Sequence, residues 1–69
     1  MKISARNQLK GKVVEVRKGQ VTAHVRIDVS GTIVMASITN EAVDELGLTV
    51  GQAAYAVVKA SDVMVAIDA

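Results

Sequence analysis

The sequence has no cysteine, no proline, no phenylalanine and no tryptophan, and it has one histidine, His24, and one tyrosine, Tyr55. Each absence removes a class of protein. Without cysteine there are no disulfides and no thiolate metal sites, which fits a reducing compartment. One histidine does not build a zinc site unaided. The near-absence of aromatics leaves a core of aliphatic side chains and withholds the stacking platforms on which single-stranded nucleic acids are held. No run approaches the ~20 apolar residues of a membrane span, and the N-terminus lacks the apolar region of a signal peptide. The expectation is a soluble, cytoplasmic protein with neither nucleic acid nor membrane as partner.

What remains is small and lopsided. Residues 1–69 allow a single domain, and a domain of this size buries only about 60% of its unfolded surface, so it needs a staple. With disulfides and thiolate metals excluded, the staple left is self-association. The net charge is +1, yet seven of the eight basic residues (Lys2, Arg6, Lys10, Lys12, Arg17, Lys18, Arg26) fall in the first 26 positions beside one acid, Glu15. The rest of the chain carries six acids (Asp28, Glu41, Asp44, Glu45, Asp62, Asp68) and one base, Lys59. This asymmetry fits either a solvated surface of mixed sign or a basic leader of one subunit facing the acidic half of another.

Periodicity predicts the architecture. Val21, Ala23, Val25, Ile27 and Val29 alternate with Thr22, His24, Arg26 and Asp28, the period of a half-buried strand. Before it, GKVVEVRK over 11–18 reads as a strand closed by a turn at Lys18-Gly19-Gln20. After it, Ser30-Gly31 turns into TIVMASI. This third strand, AAYAVVK (53–59) and VMVAI (63–67) are apolar on both faces, so they need cover that so short a chain does not supply. Another copy of the chain is the simplest cover. TNEAVDELGL predicts a two-turn helix capped by Thr39 or Asn40, with Val43 and Leu46 at i,i+3 spacing and Gly47 as its stop. The expected fold is all-β: a small five-stranded OB-like barrel with one short helix between strands 3 and 4.

The chemistry-bearing residues point away from catalysis. His24 lies on a polar strand face with no nucleophile motif around it, Asp44 and Glu45 serve a helix, and no glycine pattern forms a phosphate loop. No catalytic residue is assigned. The distinctive feature is a set of hydrogen-bond donors without acceptors. Ser4 and Arg6 alternate along a leader taken to be extended, which would put both on one side. Lys59 enters the tight connection KASD, where its ammonium, the Ala60 and Ser61 amides and the Ser61 hydroxyl can converge. Thr39 opens the helix, where free N–H groups favour an anion. Each also has a plain role, Thr39 in capping, Ser61 in turning and Lys59 in reaching water. Together they describe an oxyanion pocket.

These residues carry a resemblance. SARNQLKG at the start, ITNEAVDELGL in the middle and VVKASDVMVAI at the end are similar to the molbindin (Mop) family, the stand-alone form of the molybdate-binding TOBE module, across essentially the whole chain. The resemblance implies a cytoplasmic, non-enzymatic protein that binds molybdate or tungstate as its ligand, with no metal ligated directly by side chains. It also implies a homohexamer, a trimer of dimers, with anions held at subunit interfaces. Carried over, the anion-holding residues are Ser4, Arg6, Thr39, Lys59, Ala60 and Ser61. Related regulators place a serine where this chain has Ala42, so one hydroxyl donor is absent or replaced. On this reading the leader is held away from its own barrel to complete a neighbour's pocket.

Molybdate is an unprotonated tetrahedral dianion near neutral pH, so a pocket made only of donors suits it, whereas partly protonated phosphate also requires an acceptor. Storage or homeostasis of molybdenum leads, because the chain has no room for a DNA-binding domain or an ATPase. The alternative is an OB-like nucleic-acid-binding or regulatory module without a metabolic oxyanion role.

Overall fold

The computed structural model describes Met1–Asp68; Ala69, the last residue of the expected 1–69 domain, lies outside the described residues. The chain forms β1 (Asn7–Lys18), β2 (Thr22–Val29), β3 (Thr32–Thr39), α1 (Asn40–Leu46), β4 (Ala53–Val58) and a 3-10 turn at Ala60–Asp62. The strands make one antiparallel sheet in the order β3-β2-β1-β4.

The long first strand organises everything else. Its first half pairs with β4, from Asn7↔Val58 to Lys12↔Ala53, and its second half pairs with β2, from Lys12↔Asp28 to Lys18↔Ala23. One strand shared between two ladders curls the sheet in the manner of an OB fold. The register shifts between Val13 and Glu15. That bulge places Glu15 opposite Arg26, where Oε1 accepts from Nε at 2.7 Å.

Alternation decides which side is core. Ala23, Val25 and Ile27 of β2 are buried with Val13 of β1, Ala56 of β4 and Val43 of α1. Val34, Ala36 and Ile38 of β3 pack partly buried against them. The helix is positioned by its ends: Thr39 Oγ1 accepts from the Ala42 amide at 3.0 Å, and Gly47 stops it in the left-handed conformation at φ 61. Asn40 then fastens it to the β1–β2 hairpin, its backbone amide donating to Val21 O at 2.7 Å and its Nδ2 to Gly19 O at 2.9 Å. Of the expected helical pair, only Val43 is core. Leu46 is exposed, and Leu48, just past the stop, packs against the core in its place.

Two expectations change. The sheet has four strands and does not close into a barrel, because residues 63–67 join no ladder. A short apolar run marks a segment as strand-like without saying whose edge it pairs with, and this one meets no edge of its own chain. The leader also differs. β1 begins at Asn7, not residue 11, so the second half of the leader belongs to the chain's own sheet. Its polar side chains did not prevent this, since Gln8, Lys10 and Lys12 lie opposite Val57, Tyr55 and Ala53 on the outward face.

The surface is large for the mass. A compact 7.2 kDa monomer exposes about 4,100 Å², whereas this chain exposes 5458 Å², roughly a third more. Its radius of gyration is 12.9 Å against about 11 Å for a compact chain of this length. Much of the excess is apolar: Met64, Val65 and Ile67 are 92%, 90% and 88% exposed.

Candidate functional site

Sorting the cations by partner narrows the candidates. Arg17 and Arg26 pair with Glu15, and Lys18 pairs with Asp44. Lys2, Arg6, Lys10, Lys12 and Lys59 take part in no ion pair among the described residues. Two of these unpaired cations flank a single rung. The β1–β4 ladder ends at Asn7↔Val58, so Arg6 and Lys59 leave it side by side.

Beyond that rung each segment turns. Lys59 precedes the 3-10 turn, and its carbonyl accepts from the Asp62 amide at 2.9 Å while Ala60 O accepts from Val63 N at 3.2 Å. The Ala60 and Ser61 amides, the first two of that turn, have no partner among the described residues, as expected where a helical turn begins. On the other side the leader is not extended. It bends at Ser4 and again at Arg6, and between the bends Gln8 Nε2 donates to Ala5 O at 2.9 Å. Ser4, Arg6, Lys59 and Ser61 are exposed, and Asp62 is the acid nearest them in sequence. The two segments that continue from this end of the β1–β4 pair carry two cations, two hydroxyls and two unpartnered amide hydrogens.

Thr39 is elsewhere. It pairs with Thr22 at the far end of the sheet, one step past the Lys18↔Ala23 rung. Asn7 and Lys18 bound β1, a strand that would span about 36 Å if straight, in a molecule whose longest dimension is 39 Å. Arg6, Lys59, Ala60 and Ser61 thus follow in sequence from the Asn7↔Val58 end of the ladder, Ser4 lies two residues further up the leader, and Thr39, on β3, lies beside the other end of β1. The Thr39 hydroxyl accepts from Ala42 N, which leaves its hydrogen free to donate outward. Ala42 contributes its amide to that cap and no hydroxyl.

Other features hold none of the six. An open groove beside the helix is lined by Val16, Lys18, Val43, Asp44, Gly47, Leu48 and Thr49. A shallower depression lies among Arg17, Lys18, Gly19, Thr22 and His24. His24 stands exposed between Arg17 and Ser37 in the register, and among the described residues no group of acids and imidazole is arranged to hold a metal. No helix among them is long and apolar enough to cross a membrane. The contact absent from the sequence-based reading is the Gln8 brace, because nothing in the order of residues 5 to 8 reveals that the chain doubles back there.

A curled antiparallel sheet with a capping helix and two unpaired cations at one strand end defines a small OB-like β module. The chain belongs to the TOBE domain family, whose profile matches residues 3–65. It is 55% identical over 69 residues to a probable molybdenum-pterin-binding protein of Haemophilus influenzae, covering 99% of this chain and 100% of that one. Among solved structures it superposes on a molybdate-binding protein of Sporomusa ovata with a TM-score of 0.92 at 42% identity, over 97% of this chain and 100% of the other. It also superposes on the cytoplasmic molybdate-binding protein ModG with molybdate bound, with a TM-score of 0.87 at 45% identity, over 93% of this chain and 46% of that one.

Proposed function

We propose that this chain binds molybdate, and tungstate in the same way, at interfaces between copies of itself, as a cytoplasmic store that buffers molybdenum. The observation that carries the reading is the pair of unpaired cations, Arg6 and Lys59, leaving one ladder rung together with the free Ala60 and Ser61 amides beside them. A dianion there is met by charge-assisted donors on two segments whose spacing the ladder sets. Thr39 of a second copy completes the set, since on its own chain it lies at the other end of β1. The module spans 1–69 and works as an assembly, a homohexamer built as a trimer of dimers. Its support is the excess exposed area and the bare apolar segment 63–67. The likeness to proteins named for binding molybdate supports the ligand.

Equilibrium dialysis against molybdate, tungstate, sulfate and phosphate, with native mass recorded on the same samples, tests this directly. Molybdate and tungstate are expected to bind and phosphate to bind more weakly, because none of the six residues offers a carboxylate to take its proton. A monomer that retains neither metal oxoanion ends the proposal.

The individual roles separate by mutation. Lys59→Met is expected to weaken molybdate by ~1.5–3 kcal/mol, the worth of a hydrogen bond to a charged group. Unchanged affinity by titration calorimetry removes Lys59 from the site. Arg6→Ala is expected to cost more affinity than Arg26→Ala, because Arg26 already donates to Glu15 at 2.7 Å. Equal losses would mean that a diffuse basic surface, not a built pocket, attracts the anion.

A further inference from the structure

We propose that Gln8 is a positioning residue for the oxyanion, acting through the leader and not by touching the ligand; the inference rests on the binding role of Ser4 and Arg6 stated above. Those two residues lie outside every ladder, and ordering unpaired backbone around a ligand costs conformational entropy. Some device must hold them before the anion arrives if binding is to be tight.

The geometry supplies one. Gln8 sits in the ladder opposite Val57, so its backbone is fixed by β4. From there its Nε2 reaches back to Ala5 O at 2.9 Å, closing a loop over three residues. Ala5 lies between Ser4 and Arg6 and is half-buried, while both of its neighbours are exposed. The brace therefore pins the one leader residue whose position sets the other two. It also accounts for the bends, since a fully extended segment from 5 to 8 would carry Ala5 O out of reach of the Gln8 side chain. Gln8 is used because its amide has both the length to span the loop and an N–H to donate. Glutamate has the length without the donor and adds negative charge near a dianion.

Gln8→Met keeps the length and removes the donor. It is expected to weaken molybdate roughly fivefold, and Gln8→Glu more than that, with the thermal midpoint and native mass of Gln8→Met unchanged. Double mutants identify the route of action. In a Ser4→Ala/Arg6→Ala background Gln8→Met is expected to cost nothing further, because the residues it positions are gone, whereas in Lys59→Met the fivefold loss is expected to persist. Equal loss in both backgrounds, or a lowered thermal midpoint in Gln8→Met, would assign Gln8 a general structural role and overturn the inference. Unchanged affinity in Gln8→Met with weakened binding in Lys59→Met overturns the brace alone. Unchanged affinity in both overturns the brace and the site together.

Discussion

A chain carrying Val65→Asp and Ile67→Asp is expected to run as a monomer and to bind molybdate at least about a hundredfold more weakly than the unaltered protein, a difference of roughly 2.8 kcal/mol. Within one chain these side chains are 90% and 88% exposed, so the substitutions remove nothing from the six-residue core. In an assembly that covers 63–67, two carboxylates enter an apolar contact unpaired, and such burial costs several kcal/mol per charge. Binding falls with assembly because the donors are split. Arg6 and Lys59 stand at one end of β1 and Thr39 at the other, so an isolated chain offers the anion an incomplete, solvent-open set. Sedimentation velocity and dialysis on the same sample read both effects. An assembly of unaltered mass would show that 63–67 is not the contact, and a monomer with undiminished affinity would show that one chain holds the whole site. Lys59→Met is the matched control, expected to lose affinity and keep its mass.

That split explains why the sequence offers candidate site residues more readily than their arrangement. Ser4, Arg6, Lys59 and Ser61 stand out as candidates because donors without acceptors are conspicuous in a small aliphatic chain, while β2 follows from a period of 2, the helix from a period of 3.6, and the other strands from apolar runs bounded by turns. The start of β1 is harder to read, since Asn7 to Lys12 carries mostly polar residues and its strand pairing depends on β4, from Lys12↔Ala53 out to Asn7↔Val58, far along the chain. The fate of 63–67 is harder still, because a continuous apolar run reports that it will be covered without naming the chain that covers it. Leu46 and Leu48 show the same limit at short range: the helical spacing favours Leu46, and the left-handed turn at Gly47 swings Leu48 onto the core in its place.

Gly11→Ala is expected to cost the fold at least ~3 kcal/mol, the upper end of what overpacking usually takes, and to lower the thermal midpoint by roughly 10–20 °C. Gly11 lies beside Lys12, where β1 passes from its ladder with β4 to its ladder with β2. A Cβ there would stand 2.4 Å from Asp28 O, 2.8 Å from Ile27 Cγ2 and 3.0 Å from Asp28 C. Ile27 could turn aside at some loss of packing. Asp28 could not, since its backbone is held in register by Lys12 on one side and Ile33 on the other. The demand is for space and not for an unusual dihedral, which Gly31→Ala separates: that glycine has φ +93 and nothing within 4 Å of where a Cβ would stand, so its cost is conformational, about 1–2 kcal/mol. A chain of 69 residues has roughly 3–10 kcal/mol of stability in total, so the Gly11 substitution removes a large share of it. Relief by opening the β1–β4 ladder would displace the Asn7↔Val58 rung, and with it the approach of Arg6 to Lys59. Calorimetric melting of the two variants should therefore rank Gly11→Ala well below Gly31→Ala; equal midpoints would mean that the crossing of β1 and β2 has room that these distances deny.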